Sequence, residues 1–142
     1  MQRCLIVEGS PIIRRVTKVI LTDFGFEVVE ASTGREGLTM FQRHIPRLTI
    51  VDSTLRDMAA LDVIRLMRDA MTERVQILYC TTDYDIKLVR AATDAGASDL
   101  LIKPFDRVSL AAKLDTWQLP DKPALRDNFY ARLSRSEIVR IA

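Results

Sequence analysis

Glycine is scarce, five in 142 residues, and no two fall into a G-x-G-x-x-G or other phosphate-cradling loop. That speaks against a nucleotide- or flavin-dependent enzyme, whose phosphates need such a loop. There is one histidine, His44, just before Pro46, where it reads as a solvated loop residue. A multi-histidine metal site is therefore excluded. The two cysteines, Cys4 and Cys80, each lie in an apolar stretch that reads as a buried strand, so they are expected to be core thiols and not a disulfide. No run approaches the roughly 18 apolar residues of a membrane span. The first residues, MQRCLIVEGS, lack the shape of a signal peptide, and a cytoplasmic protein is expected. Charge of one sign is lacking too: the net is +2, too little to argue for DNA or RNA.

What is present has the balance of a soluble domain, 48% apolar and 28% charged, in a chain long enough for one core and too short for two. Short apolar runs alternate with stretches of helical period. Strands are expected at Arg3–Val7, Glu27–Glu30, Leu48–Val51, Gln76–Tyr79 and Asp99–Ile102. Helices are expected at Pro11–Phe24, Thr33–Arg43, Leu61–Ala70, Tyr84–Ala95 with Asp83 as N-cap, and Asp106–Asp115. The strand cores LIV, LTIV, ILY and LLI are continuously apolar, as strands covered on both faces are. The pattern is a doubly wound α/β fold with a five-stranded parallel sheet. It ends near residue 116, so residues 1–116 form the domain and 117–142 an extension. The extension holds five basic and three acidic residues, leaving 16 of each in the body, so the whole positive excess is in the tail. Pro120 and Pro123 break it from the last helix, and Ser134 with Glu137 has the form of a capping box.

In an open parallel sheet, ligands bind at the carboxyl ends of the strands near the point where strand order reverses. The polar groups there are Glu8, Asp52, Thr81 and Lys103. Singly, each has an ordinary explanation as a helix cap or an ion-pair partner. Jointly they make a site for a phosphoryl group with a divalent cation. A carboxylate would be the nucleophile, and the lysine, the hydroxyl and the metal would bind the transferred oxygens.

The segments CLIVEGSPIIRR, LTIVDSTL, ILYCTT and AGASDLLIKPF resemble, in order and spacing, the strand-end motifs of response-regulator receiver domains over about residues 3–116. The resemblance implies the flavodoxin/CheY-like strand order 2-1-3-4-5 and a phosphoacceptor at Asp52. It also implies a switch hydroxyl at Thr81 and a phosphate-binding lysine at Lys103. Mg²⁺ would be held by Glu8, Asp52 and the backbone carbonyl of Thr54. The implied partners are a histidine kinase or phosphotransfer protein and a downstream protein target. The module is then a signalling domain and not an enzyme, and a tail this short leaves no room for a DNA-reading domain.

Departures from the family pattern are informative. Receivers usually carry two adjacent acids after the first strand, where this chain has Glu8-Gly9, so Mg²⁺ binding is expected to be weak. The usual proline and glycine after the acceptor are Arg56 and Ala60, and the usual aromatic of the fifth strand is Leu100. These favour an alternative, a pseudo-receiver used as an interaction or ligand-binding module without phosphorylation. One version adds an anionic nucleotide, cyclic di-GMP, bound by Arg126, Arg132, Arg135 and Arg140 in a role in motility control. A solvated helix face explains those arginines better than a nucleotide site does. The output surface is expected on the fourth helix, fifth strand and fifth helix, with Lys87 and Arg90 exposed and Ile86, Val89 and Ala92 turned inward.

Overall fold

Five apolar pentapeptide-length runs, each too short for a helix with a core face, pair into one parallel sheet. In the computed structural model, which describes residues 2–71 and 75–116, β1 (Arg3–Val7) lies between β2 (Glu27–Ala31) and β3 (Leu48–Asp52). Beyond β3 come β4 (Gln76–Thr81) and the edge strand β5 (Asp99–Ile102), giving the order β2-β1-β3-β4-β5. Every pairing is parallel, with Val7 beside Val51, Asp52 beside Cys80 and Thr81 beside Ile102. The helices are α1 (Pro11–Asp23), α2 (Gly34–His44), α3 (Ala60–Ala70), α4 (Ile86–Ala95) and α5 (Arg107–Asp115).

Side chains alternate across the strands and so build two cores. Cys4 and Ile6 of β1, Leu48 and Ile50 of β3, and Leu78 and Cys80 of β4 face α1 and α5, meeting Val16, Ile20, Leu110 and Leu114. Leu5, Val7, Val51, Ile77, Tyr79 and Leu100 face the other way, against Phe41, Val63, Ile64 and Met67. Each fully buried aliphatic side chain contributes about 1.5–3 kcal/mol. Both cysteines are free thiols packed in the first core, where burial pushes the Cys80 thiol up to about 12.

The helix signals act largely as the sequence implies. Ser10 caps α1 with Pro11 in its first turn, Thr33 caps α2, and Asp106 forms a capping box with Ser109. Gly96 ends α4 at φ 115, and a Cβ there would meet the Arg68 side chain at 2.8 Å. Two expectations fail. The fourth helix begins at Ile86 and not Tyr84, because Asp85, whose carboxylate accepts from the Lys87 N–H at 3.0 Å, is the cap. The Asp83 N–H is instead turned back to the Thr81 hydroxyl at 3.2 Å. In consequence Ile86, expected inward, is 66% exposed, while Ala92 is buried and Val89 half-buried. His44 is the last residue of α2, half-buried, and its carbonyl accepts from Arg3. The chain after Thr116 lies outside the described residues, and with it the 117–142 extension, the Ser134–Glu137 capping box and Arg126, Arg132, Arg135 and Arg140.

Candidate functional site

Strand order reverses at β1, whose neighbours β2 and β3 leave in opposite directions, so a crevice opens at the carboxyl ends of β1 and β3. Asp52 closes β3 there, Glu8 follows β1, Thr81 closes β4 and Lys103 follows β5. Glu8, Asp52 and Thr81 are each at most 5% exposed, an expensive position for two carboxylates unless they are paired. Lys103 supplies the partner. Its ammonium donates to Asp52 Oδ1 and, at 2.7 Å, to Glu8 Oε1. Burial alone would lower its proton affinity, but the two carboxylates together outweigh that and hold it above the ordinary lysine value. The cis Lys103-Pro104 bond turns the chain immediately after this residue.

The remaining carboxylate oxygens are held from the backbone. Asp52 Oδ2 accepts from the Thr54 N–H at 3.1 Å and its hydroxyl at 2.6 Å, and Glu8 Oε2 accepts from the Ser10 N–H at 3.0 Å. Thr54 thus meets Asp52 through its amide and hydroxyl, where the resemblance singles out its carbonyl. Thr81 Oγ1 accepts the Asp83 N–H, which leaves its own proton for an anion. One lysine, one hydroxyl and a buried carboxylate therefore converge where an incoming phosphoryl group would need a nucleophile and oxygen-binding donors.

Three contributors escaped the sequence reading. Arg14 of α1 donates to the Glu8 carbonyl at 2.7 Å and pairs with Glu30 at 3.3 Å, which fixes the turn after β1. Asp57, in the loop after Asp52, accepts from the Gly34 and Arg35 N–H groups at 2.8 and 3.0 Å and so ties that loop to the start of α2. Tyr79 of β4 is buried in the second core, in register with Val51 and Leu100. Only Asp57 carried any signal, as an acid in a polar loop, and nothing in the sequence pointed it at α2.

A family model described as the response regulator receiver domain matches residues 4–115. The chain belongs to the response regulator receiver family. Among curated relatives, it is 33% identical to the chemotaxis protein CheY of Bacillus subtilis over 109 residues, 75% of this chain and 90% of that protein. It is 36% identical over 114 residues to the transcriptional regulatory protein KdpE of Mycobacterium tuberculosis, covering 80% of this chain and 50% of KdpE. The chain thus spans about half the length of the KdpE proteins it matches. Chemotaxis response regulator CheY4 of Vibrio cholerae superposes with a TM-score of 0.77 at 28% identity, over 82% of this chain and 98% of that one. The CheY-like fold expected from the sequence is the fold observed. No helix among the described residues is long and apolar enough to cross a membrane.

Receiver domains generally bind Mg²⁺ at the phosphorylation site. The donor set here fits such an ion poorly. Among the described residues no three His, Cys, Asp or Glu side chains are grouped as ligands, and every oxygen of Glu8 and Asp52 already accepts from a protein donor. Gly9 leaves the place of a further acid empty of side chain. A Cβ there would meet only the Ser32 carbonyl, at an ordinary 3.6 Å.

Proposed function

We propose that this receiver is phosphorylated at Asp52 and signals by protein contact, with a histidine kinase or phosphotransfer protein as donor. The observation that carries the reading is the buried Asp52 carboxylate held by the Lys103 ammonium at the carboxyl edge of the sheet. An Asp52 oxygen attacks the donor phosphorus, the donor's P–N bond breaks with its electron pair leaving on the imidazole, and an acyl phosphate forms. Lys103 then neutralises the added phosphoryl oxygens, and the Thr81 hydroxyl donates to one of them. Glu8, Asp52 and the Thr54 backbone carbonyl would hold Mg²⁺ only weakly, and the ion would supply positive charge to the phosphoryl oxygens.

The change at Asp52 reaches a partner through the face of α4, β5 and α5. Tyr84, Ile86 and Val108 are 77%, 66% and 75% exposed there, beside exposed Lys87 and Arg90. Tyr84 lines a groove of about 480 Å³ with Val89, Leu100, Ile102, Pro104 and Lys113. Exposed apolar anchors with a cationic rim suit an acidic protein segment bearing one or two large apolar side chains. The KdpE relatives are named as transcriptional regulatory proteins.

Acetyl phosphate followed by intact-mass analysis tests the reading. One phosphoryl group on the wild-type chain and none on Asp52→Asn is the expected outcome; an unmodified wild-type chain sinks it. Gly9 and Leu100 favour a second reading, a pseudo-receiver that binds partners in one state. In its nucleotide version the extension's arginines, Arg126, Arg132, Arg135 and Arg140, hold cyclic di-GMP. Calorimetry with that nucleotide on the full chain decides it, and absence of heat removes it.

A further inference from the structure

The amino-terminal edge of the sheet, at the far end of the strands from Asp52, carries a row of charge that none of the chemistry above uses. Arg3 of β1 lies in register with Glu27 of β2. On its other side the Arg47 N–H donates to the Arg3 carbonyl at 3.0 Å, one residue before Leu48 pairs with Cys4. Cys4 and Leu48 point into the first core, so Arg3 and Arg47 point the other way, side by side on the face where α2 ends. Like charges on neighbouring strands repel, and only one acid is at hand. Glu27 pairs with Arg3 at 3.4 Å, and among the described residues the Arg47 guanidinium has no hydrogen bond or ion pair. Together with His44 and Ile45 these three side chains line a groove of about 360 Å³. Ile45 is a second anomaly. It ends α2 in the left-handed region, at φ 45 and ψ 65, a place that glycine or asparagine normally takes. A β-branched residue is strained there, yet its side chain is 57% exposed and joins neither core.

We propose that this groove docks an acidic segment of a partner protein, with a carboxylate bridging Arg3 and Arg47 and a neighbouring aliphatic side chain resting on Ile45. The carboxylate supplies the acid that the Glu27–Arg3–Arg47 row is short of, and guanidinium groups hold it by forked hydrogen bonds. The exposed Ile45 side chain adds an apolar contact at the rim, which an inorganic anion cannot use. That contact is why a peptide segment fits the groove better than a small ion does. The length of β1, five residues at about 3.3 Å each, sets the groove roughly 16 Å from the Asp52 edge. Docking here is therefore independent of the charge on Asp52 and of the α4, β5 and α5 face. It gives the receiver a second contact that a partner can hold in either state of Asp52.

The test is a titration of the full chain with the peptide acetyl-Glu-Leu-Glu-Leu-amide, read by amide resonances. Saturable displacement at residues 3, 27 and 44–47 is expected, and it should vanish in about 1 M salt, where the screening length falls to about 3 Å. The glutamine version of the peptide should not bind. Arg47→Gln should weaken binding about tenfold, the loss of a charge-assisted contact. Ile45→Gly should weaken it about threefold, the loss of a small apolar contact. Each substitution removes an unfavourable feature of the free chain, so neither should lower the thermal midpoint, and lost binding is then not lost fold. Asp52→Asn should bind as the wild type does. No displacement at this edge, or displacement confined to the α4, β5 and α5 face, overturns the proposal. So does equal displacement by inorganic phosphate at the same concentration, or affinity unchanged by Arg47→Gln or by Ile45→Gly. A chain inert to acetyl phosphate that shows the expected titration counts against Asp52 as acceptor and leaves the groove standing, and the converse result does the reverse.

Discussion

Lys103 touches both buried carboxylates, so its removal leaves like charges facing each other in a dry place. Lys103→Met keeps most of the stem volume and should cost about 2 kcal/mol at neutral pH, below the range for a fully buried pair because the lysine keeps some exposure. Denaturant midpoints measure it. Since the paired ammonium binds its proton more tightly than a free lysine, its contribution is complete at neutral pH. It is lost only as pH rises beyond the lysine value, above about 10.4. Gly9→Asp adds an acid where a Cβ has room, and should tighten Mg²⁺ by about tenfold or more, as one more charge beside a dication is worth several kcal/mol. Unchanged affinity by calorimetry would mean that Glu8 already serves in full. The strand-end residues were legible in the sequence because topology alone delivers them to one edge. Tyr79 and Arg14 were not, since a tyrosine in an apolar run and an arginine on a helix read as core and surface until register and turn geometry are known.

Among the elements, α2 and α3 are each tied to a neighbouring segment by a single side chain. Asp57 holds the N-terminal N–H groups of α2, and these hydrogen bonds lower its proton affinity below the ordinary aspartate value. The contribution is therefore present at neutral pH and lost as pH falls through the depressed value, below about pH 4. Asp57→Ala should remove that acid sensitivity at α2, seen as faster amide exchange at Gly34 and Arg35 already at neutral pH; unchanged exchange would show the contact to be idle. Arg68 of α3 donates to the Gly96 carbonyl at 2.9 and 2.8 Å and to the Val75 carbonyl at 2.9 Å, fastening α3 to the ends of α4 and β4. Arg68→Ala should cost about 2 kcal/mol in denaturant unfolding, since carbonyls lose charged donors. Helix ends were the least legible feature. Asp83 and Asp85 are equally good caps by type, and the choice between them depends on the Thr81 hydroxyl capturing the Asp83 amide.

At the scale of the whole molecule, continuous apolar strands alternating with amphipathic helices admit few arrangements, and that is why the doubly wound sheet was legible from the sequence. Among the described residues both hydrophobic clusters end by Leu114, and truncation after Leu119 should leave cooperative unfolding while weakening partner binding. Loss of cooperativity would tie the extension to the core. Gly9 and Leu100 show how a chain keeps a fold while departing from the family pattern: Gly9 puts no side chain after β1, and Leu100 is an aliphatic member of the second core. The central claim is that Asp52 accepts a phosphoryl group with Lys103 as the resident cation. Intact mass after acetyl phosphate, for wild type, Asp52→Asn and Lys103→Met with and without Mg²⁺, tests it most directly. The account expects one phosphoryl group on wild type, raised by Mg²⁺ only at high concentration, and none on either variant; a wild-type chain that stays unmodified, or an Asp52→Asn chain modified to the same extent, would contradict it.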